Sequence, residues 1–195
     1  MKLKTSISVL AGCLVIFLFI MLPVFLSMKS QKDESIAAFK GSDFSLKDMN
    51  NNLITEESFE ENLTAIFFGF THCPDVCPTT VLDMAKVLKA LGDDSDKVLP
   101  IFISVDHRRD DYETVRNYVD FFDKRIAALT SDKENIDKLT KFFKTKYELV
   151  DPTKPGFLVE HSSNIYILDK SLQVKKIIPN GIPSEEITIM LKRYL

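Results

Sequence analysis

The 195-residue sequence predicts one α/β domain on a mostly parallel sheet, carried behind an apolar N-terminal segment. Three observations predict it. Two near-continuous apolar runs, Ala65–Phe70 and Val98–Val105, have the length and the β-branched and aromatic content of strands buried on both faces. Each is followed by a stretch whose apolar residues recur at helical spacing. Two further short runs near the C-terminus, Asn164–Leu168 and Val174–Ile178, flank the turn Asp169–Gln173 as a hairpin.

Taken in order, the chain opens with Ile7–Leu26, which carries no charged residue. A bilayer span needs about 20 apolar residues. A secretory signal is the alternative, but its apolar core is usually only about 7–15 residues. The nearest small-residue site, Ser35-Ile36-Ala37, lies past a charged stretch. Residues 1–26 are therefore expected to hold an uncleaved anchor, spanning 7–26. The LAGC at 10–13 resembles a lipoprotein box, but the apolar run before it is very short, so Cys13 reads as a membrane-embedded bystander. Lys2 and Lys4 precede the span and Lys29, Lys32 and Lys40 follow it, so the positive-inside count does not orient it. The Arg- and Ser-rich leader of a mitochondrial import signal is lacking, which favours a bacterial-type membrane. Residues 27–40 are polar and read as a tether, reaching at most about 45–50 Å.

Residues 41–195 are expected to form the domain, long enough for a core of their own. Asp43–Leu46 and Asn52–Ile54 read as short strands around an Asn-rich turn. Ala65–Phe70 leads to a helix over Thr79–Leu91, with Val81, Met84, Ala85, Leu88 and Leu91 on one face and Gly92 as its stop. After Val98–Val105 comes a helix over Tyr112–Phe122, then a short strand Ile126–Leu129. Ser131 and Glu134 form a capping box ahead of Ile136, Leu139, Phe143 and Tyr147. The C-terminal hairpin and a helix from Ser184 to near Tyr194 close the chain. Strands alternating with helices put helices on both faces of the sheet, and the hairpin adds an antiparallel edge. That order is thioredoxin-like.

Composition narrows the function classes. A net charge of −3 with no Lys/Arg stripe leaves no footprint for nucleic acid. Three cysteines are too few for a disulfide-stapled scaffold. The chemistry-bearing stretch is FGFTHCPDVCPTT at 68–80, between the first buried strand and the first helix. Proline fits the first helical position, which makes Cys77 the expected cap and Pro78 the first residue of the helix. Cys73 then lies in the preceding turn, one turn from Cys77. A helix N-terminus favours negative charge, so a cysteine there is expected to have a lowered pKa and more thiolate.

Thiolate is both nucleophile and metal ligand, so position alone leaves redox and metal roles open. The spacing is Cys-x-x-x-Cys, wider than the Cys-x-x-Cys of thioredoxin-type centres. Structural zinc needs four ligands, usually as two pairs, and no second pair is present. Two thiolates and one imidazole suit Cu(I) instead. The bland alternative is a buried pair of small apolar cysteines. A third ligand has to come from His72, His107 or His161. His72 adjoins Cys73, so its ring is expected to point away and serve the loop. His107 follows the second buried strand, at the strand ends where ligands gather in open α/β sheets. It reads equally well as a plain loop residue. His161 precedes the closing hairpin, where it is a ligand or a satisfied, partly buried histidine.

FFGFTHCPDVCPTT, IFISVDHRRD and VEHSSNIYILD, in that order and spacing, resemble the SCO/SenC family of copper chaperones. The resemblance covers residues 41–195. It implies a thioredoxin-like domain outside an energy-transducing membrane, here the periplasmic side of the cell inner membrane. It also implies copper, Cu(I) or Cu(II), held by Cys73, Cys77 and His161. The implied client is cytochrome c oxidase subunit II, whose dicopper centre such proteins help to mature, with a copper donor protein upstream. The alternative is a thiol-disulfide reductase acting on the cysteines of that subunit, with Cys73 and Cys77 as the redox pair and a thioredoxin-like reductant as partner. Two departures stand out. The family commonly has Asp-Pro where this chain has Asp106-His107, and its usual Asp before the histidine is Glu160 here.

Overall fold

The computed structural model describes Met21 and residues 45–48, 52–154 and 156–195. Apart from Met21, the expected span 7–26 and the tether 27–40 lie outside the described residues. Among the described residues no helix is long and apolar enough to cross a membrane.

The described chain opens with a small antiparallel hairpin, β1 (Leu46–Lys47) and β2 (Leu53–Ile54), with Leu46 opposite Ile54. A five-stranded mixed sheet follows, with spatial order β5-β4-β3-β8-β9. Its parallel part is β3 (Leu63–Gly69), β4 (Val98–Ser104) and β5 (Ala127–Leu129). Its antiparallel part is β8 (Ile165–Leu168), paired with β3, and β9 (Val174–Ile178). All seven residues of β3 are buried, as an inner strand covered on both faces requires. The helices are α1 (Val76–Leu91), α2 (Tyr112–Asp120), α3 (Lys133–Phe142) and α4 (Ser184–Lys192).

Alternation along the strands makes two cores. Leu63, Ala65 and Phe67 of β3 meet Val81, Met84 and Leu88 of α1, Val115 and Val119 of α2, and Ile187 and Leu191 of α4. On the opposite face the ring of Phe68 lies 5.5 Å from that of Phe143, which lies 5.0 Å from that of Tyr166. Helices on both faces and an antiparallel edge are as the pattern predicts.

Three local expectations are corrected. Helix α1 begins at Val76, so Pro78 is its third residue rather than its first. The first four N–H groups of a helix have no partner within it, so a proline missing its N–H is tolerated there too. Asp132, not Ser131, caps α3 by accepting from the Asn135 N–H at 2.9 Å, while the Ser131 hydroxyl donates to the Ser45 carbonyl. Tyr147 does not continue the α3 stripe. Lys144, with φ 51°, ends the helix, and Tyr147 starts a strand.

That strand belongs to an element absent from the sequence expectation. β6 (Tyr147–Val150) and β7 (Leu158–His161) form a separate antiparallel pair, with Tyr147 opposite His161. Its sequence alternates weakly, and its faces are only half buried.

Candidate metal centre

The site lies at the C-terminal ends of β3 and β4, where open α/β sheets gather ligands. β3 ends at Gly69, and the chain then turns through Phe70–Asp75 into α1. The Asp75 cap position makes no side-chain hydrogen bond to the helix. The Cys73 sulfur takes that place, accepting from the Cys77 N–H at 3.5 Å. Cys77 is the second residue of the helix, and a capping side chain normally accepts from the second or third N–H. The third residue is Pro78, which has no N–H to satisfy. Of the two N–H groups that a capping side chain normally reaches, only that of Cys77 is present, and the Cys73 sulfur takes it.

Cys77 points inward and is 3% exposed. Gly69 makes room for it. A Cβ on Gly69 would stand 2.9 Å from the Cys77 sulfur and 2.6 Å from the Phe102 ring. Burial pushes the Cys77 thiol well above its ordinary pKa, and the neighbouring Cys73 adds to the rise, against a lowering contribution from the Phe70 backbone. The expectation of a lowered cysteine pKa therefore fails at Cys77. The helix N-terminus favours thiolate, but removing the sulfur from water disfavours it more. Both Cys73 and Cys77 are free thiols.

β7 delivers the third group. His161 is its last residue, and its Nε2 lies 3.4 Å from the Cys77 sulfur. Its Nδ1 lies 3.1 Å from the Ser162 carbonyl oxygen. A carbonyl only accepts, so Nδ1 carries the proton and Nε2 keeps its lone pair facing the sulfurs. Burial lowers the His161 pKa, with the Ser162 carbonyl pulling the other way, so the ring is neutral at pH 7. The Phe70 ring meets it edge-on at 5.8 Å. The two sulfurs and a His161 nitrogen all lie within 4.8 Å of one another, close enough to hold one metal ion. Two soft sulfurs and one imidazole are a copper-type donor set.

The other two histidines stand elsewhere. The His72 Nδ1 is 3.0 Å from the Thr71 hydroxyl and 3.6 Å from the Asp110 carboxyl, so this ring serves the loop, as expected. His107 is outside the cluster and packs edge-on against Tyr147 at 6.5 Å. Glu160 is exposed and lies opposite Glu148 in the hairpin, one step along from His161.

Sequence reasoning missed the residues that hold the loop. Asp110, 4% exposed, accepts from the Thr71 N–H at 2.8 Å, the Thr71 hydroxyl at 2.6 Å and the Ser104 hydroxyl at 2.6 Å. It ties the start of the cysteine loop to the end of β4. Arg109 ion-pairs with fully buried Asp106, donates to the Phe157 carbonyl at 2.8 Å and stacks over the Phe157 ring at 3.7 Å. It ties the same β4 loop to the segment leading into β7. Nothing local in VDHRRDD marks which of its charged residues face inward.

Known proteins agree with this architecture. A family profile described as SCO1/SenC matches residues 32–195. An SCO2-like protein of Rickettsia conorii is 34% identical over 131 residues, 66% of this chain, and the chain spans 64% of that relative's length. An SCO2-like protein of Rickettsia prowazekii is 31% identical over 154 residues, covering 78% of this chain and 75% of the relative. Among solved structures, copper-bound ScoI of Bradyrhizobium japonicum superposes with a TM-score of 0.72 at 38% identity, over 78% of this chain and 97% of that one. Copper-bound yeast Sco1 superposes at 0.70 with 27% identity, over 78% and 88%. The profile spans the segment that carries the two cysteines and the histidine, and the chain belongs to the SCO1/SenC family.

Proposed function

We propose that this protein is a membrane-anchored copper chaperone that carries copper on Cys73, Cys77 and His161. Its client is the dicopper centre of cytochrome c oxidase subunit II. The observation that carries the reading is the convergence of the two sulfurs and a His161 nitrogen within 4.8 Å, from two segments of chain far apart in sequence. The copper-bound relatives support the choice of metal. His161 needs no deprotonation, because its lone pair already faces the sulfurs. Both cysteines must release protons to bind, so copper affinity falls as pH falls. The raised pKa of the Cys77 thiol extends that dependence well above neutrality.

The anchor is residues 7–26, with residues 27–40 as a tether and the domain on the periplasmic side of the inner membrane. The uncharged run Ile7–Leu26 motivates it. Protease added to intact spheroplasts is expected to remove the domain, and full protection would reverse the orientation.

A second reading is favoured by one observation. Cys73 and Cys77 are adjacent free thiols, which suits a dithiol reductant of the oxidase subunit. Only copper carriage requires His161. His161→Ala leaves two thiolates for Cu(I) and removes the nitrogen that Cu(II) favours. The expected result is a larger loss of Cu(II) than of Cu(I), an unimpaired dithiol–disulfide cycle, and cells with copper-poor oxidase. A folded His161→Ala protein that sustains normal oxidase copper under copper limitation would sink the chaperone reading and leave the reductase.

A further inference from the structure

His161 and the cysteines stand on different sheets. Among the described residues β6 and β7 pair only with each other, while the cysteine loop leaves the five-stranded sheet at Gly69. The ladder therefore fixes His161 against Tyr147, not against Cys77. Buried Val159, and the Tyr147 hydroxyl that donates to Asp137 at 2.5 Å, seat the hairpin on the domain. Arg109 adds a link to the cysteine loop. Its Nε ion-pairs with fully buried Asp106, just past the end of β4. Its Nη1 donates at 2.8 Å to the carbonyl of Phe157, the residue before β7 begins. Its Cζ lies 3.7 Å from the centre of the Phe157 ring and 5.9 Å from that of Phe70. The Phe70 ring in turn meets His161 edge-on at 5.8 Å. One guanidinium thus lies between the start of the strand that carries His161 and the ring that packs against His161. Its remaining nitrogen, Nη2, is buried without a hydrogen-bond partner. An unpaired buried donor is costly, and such groups call for a reason. Here the reason is geometric: the guanidinium is placed for two rings, one carboxylate and one carbonyl, at the expense of its last donor.

We infer that Arg109 is a positioning residue of the metal centre: it sets where β7 presents His161 to the two sulfurs. The inference rests on the copper reading above. A planar fork can pair with a carboxylate, bond a carbonyl and stack on a ring at once. Lysine keeps a cation beside buried Asp106 but has neither the fork nor the flat face. Arg109 touches no metal in this account. It acts through His161, so its loss resembles a partial loss of that ligand.

The test compares the full-length protein with Arg109→Lys. In the metal-free protein, amide hydrogen exchange across Leu158–His161 is measured beside that of β3. Exchange in β7 is expected to quicken about tenfold while β3 keeps its protection. Groups that orient a metal ligand are typically worth about 10–100-fold in metal affinity. Cu(II) affinity is therefore expected to fall about tenfold and Cu(I) affinity less, because the nitrogen matters more to Cu(II). The imidazole-nitrogen coupling in the Cu(II) spin-resonance spectrum weakens with it. In a His161→Ala background the same substitution is expected to change Cu(II) affinity by under about twofold, because the ligand it positions is gone. Arg116→Lys is the control. Arg116 likewise donates to two loop carbonyls, of Lys124 and Ile126, at the entry to β5. Its substitution leaves β7 exchange and the nitrogen coupling unmoved. Unchanged β7 exchange and coupling in Arg109→Lys would overturn the inference. So would a Cu(II) loss that persists in full without His161, or the same changes in Arg116→Lys. If Arg109→Lys does not fold, Phe157→Leu, which removes the stacked ring and leaves the carbonyl, decides by the same readouts. If the unsubstituted protein takes up no copper at all, the chaperone reading fails and this inference with it. Failure of Arg109→Lys alone touches only the inference.

Discussion

Cys73 and Cys77 are four residues apart and chemically identical in the sequence, yet they occupy opposite kinds of place. Cys73 is half-buried on the loop side, its sulfur sitting on a helix-end N–H. Cys77 is buried on the sheet side, wedged between Gly69, Phe102 and His161. The loop side is held by hydrogen bonds that converge on Asp110. The sheet side is held by packing. The difference teaches that one centre is built by two kinds of force, and each half is open to its own perturbation.

The largest effect is expected on the loop side. Asp110→Ala strands the Thr71 N–H, the Thr71 hydroxyl and the Ser104 hydroxyl in a region where Ser104 is fully buried. Bonds to a charged acceptor are worth about 1.5–3 kcal/mol each, with partial recovery by water, so a loss of about 3 kcal/mol is expected. Chemical denaturation measures it. A loss under about 1 kcal/mol would mean that Asp110 does not hold the loop.

The sheet side is broken by Gly69→Ala. The added methyl would meet Phe102 at 2.6 Å and the Cys77 sulfur at 2.9 Å, and overpacking of this kind costs typically about 1–3 kcal/mol. Stability falls, and copper uptake falls with it because the Cys77 sulfur is displaced. Asp110→Ala and Gly69→Ala together test the comparison. If the two halves are separate structures, their stability losses add within about 0.5 kcal/mol.

The smallest effect needs no mutation. Cys73 is accessible and Cys77 is buried with its thiol pushed up, so little Cys77 thiolate is present at pH 7. Iodoacetamide is expected to label Cys73 first, by about tenfold or more. Peptide mass mapping of the partly labelled protein checks the order, and equal rates would remove the asymmetry.

The buried strands β3 and β4, the helix faces and the closing hairpin were legible in the sequence, because each is carried by local periodicity. So were the two cysteines and the place of Cys73 in the turn, since a proline near a helix start and a strand before it are local signals. Legibility failed at α1's first residue and at the α3 cap. A first helical turn tolerates proline at several positions, and Ser131 and Asp132 are both good caps. The β6–β7 hairpin was missed because Tyr147 happens to continue the α3 spacing across Lys144, whose positive φ leaves no mark in a lysine.

By its own residues, then, the sequence determined the α/β order, the strand-to-helix cysteine pair and a short list of histidines. Spacing alone left those histidines open and the family resemblance implied His161; the tertiary structure supplied the contact. His161 qualifies because β7, an element with little local signature, ends where Cys77 begins, 84 residues earlier in the chain. It also decided the protonation chemistry. A helix N-terminus can be read locally, but desolvation depends on what covers a sulfur, and Cys77 is covered by Gly69 and Phe102 from two different strands. Periodicity is a property of neighbours in sequence. Burial, and the pKa that follows from it, is a property of neighbours in space.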